Sequence, residues 1–114
     1  MLAALQRRAR KQGLAGRIET RLAEEASLGV DDLAGTIDFV LAFAMVHELP
    51  DSASFLAESH RALRPGRKLL IAEPKGHVTK AEFAGLVDAA TKAGFSVEEG
   101  PAIARCWTAV LTRI

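Results

Sequence analysis

A single cysteine in 114 residues excludes an internal disulfide framework and any multi-cysteine zinc or iron–sulfur site. Three histidines stand apart without tight spacing, so no metal site is expected. Charge of one sign is equally scarce, because 15 basic residues against 14 acidic ones leave a net charge of +1. That balance argues against a dedicated nucleic-acid binder and against a polybasic membrane docker. Long apolar runs are missing too. The longest, residues 39–46, falls far short of the ~20 residues that a bilayer span requires. The apolar stretch at residues 2–5 is interrupted by Arg7 and Arg8, too soon for a secretory signal. The expectation is a cytoplasmic chain in a reducing compartment, folded as one domain over residues 1–114.

What is present reads as alternating helices and strands. Leu2, Leu5 and Ala9 recur at helical spacing, and Gly13 closes that helix. Residues 17–22 alternate apolar and polar, predicting a short strand with one wet face. Residues 36–43 are apolar on both faces apart from Asp38, the pattern of a central strand covered on two sides. Asp51 is the predicted N-cap of a helix over 52–63, with Phe55, Leu56, Ala62 and Leu63 as its buried stripe. Arg64-Pro65-Gly66 reads as a turn into a strand over 68–73 that Pro74 stops. Thr79 and Glu82 form a capping box, followed by Phe83, Leu86, Val87 and Ala90 on one helical face. Two further strands, one opening at Phe95 and one over 105–114, are separated by Gly100-Pro101 and predicted to pair antiparallel. The fold class is α/β, with a mostly parallel sheet ending in an antiparallel hairpin.

Several signatures are refused. His47-Glu48-Leu49-Pro50 lacks the second histidine of a metalloprotease helix, and Pro50 would break that helix. Gly13-Leu14-Ala15-Gly16 lacks the Lys-Ser/Thr pair of a phosphate loop. No Gly-x-Ser-x-Gly elbow occurs. Cys106 falls inside the last strand and reads as a small core residue. The basic cluster Arg7, Arg8, Arg10 and Lys11 has no interleaved aromatics and reads as a solvated helix face, and His60 as a surface residue.

One positional pattern runs through most of the chain. It comprises Asp38-Phe39-Val40-Leu41, Val46-His47-Glu48-Leu49-Pro50-Asp51, Phe55-Leu56 with Glu58, Arg61-Ala62-Leu63-Arg64-Pro65-Gly66, and the strand 69–73. This pattern resembles the second half of class I S-adenosylmethionine-dependent methyltransferases (type 11-like), with Arg64 for the usual lysine and Arg67 for a second glycine. The resemblance implies a truncated Rossmann-like fold in which residues 1–14 are the helix after the second strand. The family's glycine-rich loop and its ribose-binding acidic residue occur nowhere in these 114 residues. S-adenosylmethionine is the implied cofactor, with binding by this chain alone doubtful. The implied cofactor contacts are Glu24 (or its neighbour Glu25) on the adenine side, and Ala42, Phe43 and Ala44 at the strand end. His47 and Glu48 are the implied catalytic pair, with His47 taking a proton from the nucleophile. Glu73 and His77 border the substrate mouth.

The implied function is methyl transfer to a small-molecule acceptor in the complete enzyme, with this chain weakly active or inactive alone. The alternative is a non-catalytic interaction or regulatory module that keeps the fold. With the first two strands of the fold missing, a hydrophobic sheet edge is expected to be exposed, favouring a homodimer or a swapped assembly.

Overall fold

The computed structural model describes residues 2–13, 16 and 27–114. The predicted strand over 17–22 and the carboxylates Glu24 and Glu25 lie outside the described residues. Helix α1 spans Leu2–Lys11, with Arg7, Arg8, Arg10 and Lys11 exposed. A single 3-10 turn, Asp31–Leu33, leads into strand β1, Ile37–Phe43. Then come α2 (Ser52–Ala62), β2 (Leu63–Pro74), α3 (Lys80–Lys92), β3 (Phe95–Glu99) and β4 (Cys106–Arg113).

Local chemistry accounts for the helix ends. The Asp51 side chain accepts from Ser54 N–H at 3.2 Å, capping α2. At α3 the capping box closes in both directions. Thr79 Oγ1 accepts from Glu82 N–H at 3.1 Å, and Glu82 Oε1 accepts from Thr79 N–H at 2.9 Å.

The sheet order is β1-β2-β4-β3. Strand β1 pairs parallel with β2 across the α2 crossover, as Leu41 opposite Leu70 and Ala42 opposite Ile71. The closing strands pair antiparallel, and β4 inserts between β3 and β2. Parallel pairing is therefore confined to β1–β2 among the described residues. The predicted turn at Arg64-Pro65-Gly66 is instead a bulge inside β2. Ile37 opposes Leu63 while Phe39 already opposes Lys68, so β2 must accommodate surplus residues there. Gly66 takes φ +82° at the bend. Asp38 holds the bulge from β1, with Arg64 at 2.8 Å and Arg67 at 3.8 Å.

Strand register assigns the two faces. Val40, Ala42, Leu69, Ile71, Ala109 and Leu111 lie on one face and form the core with Leu56, Phe55, Phe83 and Ala90 of α2 and α3. Burying each large apolar side chain contributes roughly 1.5–3 kcal/mol. The opposite face carries Phe39, Leu41 and Phe43, exposed at 55%, 58% and 55%. It continues through Leu70 and Val110 and turns polar at Thr112, Ser96 and Glu98. The expectation that both faces of this strand are covered is thus corrected. Among the described residues β1 is an edge strand, and α2 and α3 pack only on its Val40–Ala42 side.

His60, expected at the surface, instead packs edge-on against Phe95 with ring centroids 5.1 Å apart. It also occupies the space beside Gly94. That glycine sits at φ +104°, and a Cβ added to it would lie 2.8 Å from His60 Nε2. Gly94→Ala therefore combines backbone strain with a clash and should cost about 2 kcal/mol or more. Denaturant unfolding checks this. Adding His60→Ala should recover part of the loss relative to the same change in a Gly94 background, and an unaltered midpoint for Gly94→Ala would contradict the packing.

Candidate active site

The site begins where β1 stops. Ala44 takes φ +54°, an unusual conformation for a residue with a side chain. Its N–H still donates to Ala72 O at 2.7 Å, so the bend is fixed against β2. The bend delivers the single turn Val46–Glu48 to the C-terminal end of β2. There the Glu73 side chain is 1% exposed and accepts twice. Val46 N–H donates to Oε1 at 2.7 Å, and His47 Nδ1 lies 2.5 Å from Oε2. A buried carboxylate with two donors is satisfied, whereas an unpaired one would be costly.

This pairing fixes the imidazole. A carboxylate can only accept, so in the neutral ring the hydrogen belongs on Nδ1 and Nε2 is the nitrogen without one. The His47 side chain is 21% exposed, so Nε2 is reachable but its ring is held. Glu48 Oε1 lies 3.9 Å from Nε2, beyond hydrogen-bond distance, and Glu48 is mostly exposed. The His77 ring stacks on His47 at a centroid distance of 5.6 Å and an interplanar angle of 13°.

The dyad opens on a cavity of about 370 Å³ between the β1–α2 connection and the first half of α3. Its walls are Val46, Leu49, Pro50, Val78, Gly85 and Leu86, with Ser52, His47, Glu73 and Glu82 supplying polar atoms. Trp107 Nε1 donates to Val78 O at 2.8 Å, tying the approach to α3 onto β4. Glu82 is held below its ordinary carboxyl value of 4.5, first by the Thr79 backbone hydrogen bond and then by the Thr79 hydroxyl, with a further contribution from His47.

The structure thus brings together four residues named from sequence: His47, Glu48, Glu73 and His77. Of the others, Glu24 lies outside the described residues. Ala42 is fully buried on the core face. Phe43 is exposed on the opposite face, and Ala44 forms the bend. Sequence reading missed the Glu73–His47 pairing itself and the second role of Glu82 at the cavity. A carboxylate wedged between Ala72 and Pro74 at the end of an apolar strand was the available signal for the first. For Glu82, the capping box masked the signal. Among the described residues, no group of three or more His, Cys, Asp or Glu side chains is arranged to hold a metal ion.

Glu73→Ala would strand both the Val46 N–H and the His47 Nδ1–H, and should destabilise the chain by about 3 kcal/mol. Glu73→Gln keeps an oxygen for Val46 and should cost markedly less. Urea denaturation of the two variants distinguishes them, and equal losses would contradict the dual-acceptor geometry.

Residues 1–71 match a family described as a methyltransferase domain. Comparison with curated proteins finds no match. Among solved structures, a SAM-dependent methyltransferase from Aquifex aeolicus superposes with a TM-score of 0.76 at 23% identity, covering 95% of this chain and 61% of that one. An O-methyltransferase family protein from Burkholderia thailandensis gives 0.75 at 18% identity, covering 98% and 40%. The [4+2]-cyclase SpnF gives 0.72 at 18% identity, covering 96% and 61%. At such identities the likeness is one of fold, and the presence of a cyclase among these structures shows that this fold does not dictate one reaction. The chain spans less than two thirds of the length of each.

Proposed function

Because the chain belongs to the methyltransferase domain family, we propose that it supplies the acceptor side of an S-adenosylmethionine-dependent methyl transfer to a small molecule. The observation that carries this reading is the buried Glu73 carboxylate holding His47 at the mouth of a ligand-sized cavity. His47 Nε2 takes the proton of the nucleophile, and Glu73 stabilises the imidazolium so formed. The apolar wall of Leu49, Pro50, Val78 and Leu86 orients the acceptor and excludes water. Glu48 and His77 flank the His47 ring, one 3.9 Å from Nε2 and the other stacked at 5.6 Å, and serve as secondary contacts.

The described residues do not make a cradle for the cofactor. Ala42 is sealed in the core, Glu24 is outside the described residues, and only Phe43 and Ala44 reach the strand end. No glycine-rich loop occurs in the sequence. The 114-residue chain alone is therefore expected to be weakly active or inactive. Calorimetric titration of S-adenosylhomocysteine into it should give no saturable heat. Micromolar binding would overturn the assignment of this chain to the acceptor side alone.

A second reading, a non-catalytic interaction module, draws on the bare face of β1. Phe39, Leu41 and Phe43 form an apolar strip on a strand that is an edge among the described residues, a surface suited to association. Association of two copies through this edge strand with their strips packed against each other, or a swapped assembly, would cover it. Light scattering at tens of micromolar should report a dimer mass that Leu41→Lys reduces to a monomer. A monomeric wild-type chain would contradict the pairing.

A further inference from the structure

Resting on the reading of the His47 cavity as the acceptor site, we infer that the acceptor is a small, positively charged amine with an apolar body of about one ring.

The charge pattern around His47 is one-sided. Glu73 lies against Nδ1 at 2.5 Å, Glu48 stands 3.9 Å from Nε2, and Glu82 lines the cavity beyond. The capping box engages Oε1 of Glu82, leaving the second oxygen to accept from a ligand. Glu82 also stays ionised at neutral pH, since the Thr79 hydrogen bonds favour its charged form. Among the described residues, neither lysine nor arginine lines the cavity. Lys75 is held 4.5 Å above the Trp107 ring and lines a different cavity, with Cys106 and Thr108.

An acidic acceptor would bring a further negative charge to a mouth whose described lining holds carboxylates and no lysine or arginine. A cationic one meets complementary potential. The cavity, at about 370 Å³, is at the small end of ligand sites, and its apolar wall matches a compact hydrocarbon body. The chemistry agrees with the charge. An ammonium N–H bond breaks, its electron pair stays on nitrogen as the nucleophilic lone pair, and the proton passes to His47 Nε2. Positive charge then moves from ligand to imidazolium without leaving the carboxylate surroundings.

Three probes of similar shape test this against the 114-residue chain by NMR titration: 2-phenylethylamine, 2-phenylethanol and 3-phenylpropionate. The amine should bind about tenfold more tightly than the acid, shifting the His47 imidazole resonances. Glu82→Gln keeps the capping box, since glutamine serves at N3. It should weaken the amine about fivefold and leave the alcohol unchanged. If the acid shifts His47 with equal or greater affinity, the amine inference is overturned while the acceptor site stands. If none of the three moves His47, the cavity is not the acceptor site, and both readings fall.

Discussion

The buried carboxylate of Glu73 is the constraint on which the site depends. It stands at the end of β2, beneath a backbone bend that Ala44 makes at positive φ. Bends of this kind cost energy and persist where surrounding contacts over-determine them. Here two contacts do so: the Ala44 N–H to Ala72 O bond and the Val46 N–H to Glu73 bond. The same carboxylate then positions His47. One ionisable group thereby holds both the backbone bend and the His47 ring, and a side chain that only filled the core could not replace it.

The sheet around this point is asymmetric in a way that bears on function. Its core face is closed by α2 and α3, whose capping motifs also set the cavity walls. The Thr79–Glu82 box starts α3 and places Glu82 at the cavity. The other face grades from apolar at β1 to polar at β3. The strip Phe39, Leu41 and Phe43 forms the apolar end of that gradient.

Much of this was legible in the sequence because local rules and tertiary packing agree. Asp51 and Thr79 cap helices as their side-chain chemistry dictates, and Gly94 ends α3 with the conformation glycine tolerates. The antiparallel closing hairpin followed from two strands with no helix between them. Where the reading departed from the structure, non-local pairing was decisive. An all-apolar strand looks covered on both sides, yet the neighbours of β1 decide which face is buried. Arg64-Pro65-Gly66 reads as a turn by composition, but pairing with β1 draws it into β2 as a bulge. His60 is a polar helix residue whose burial comes from Phe95, distant in sequence. In the site, His47, Glu48, Glu73 and His77 were each visible as strand-end residues. Their mutual distances were not, because the His47–Glu73 contact spans 26 positions and depends on register.

The most direct measurement is the tautomeric state of His47, read by long-range ¹H–¹⁵N correlation on the uniformly labelled chain. Glu73 should hold the hydrogen on Nδ1, with Nε2 showing the shift of an unprotonated, accepting nitrogen when the ring is neutral. A neutral ring with its hydrogen on Nε2, or one averaging freely between tautomers, would contradict the central role given to Glu73.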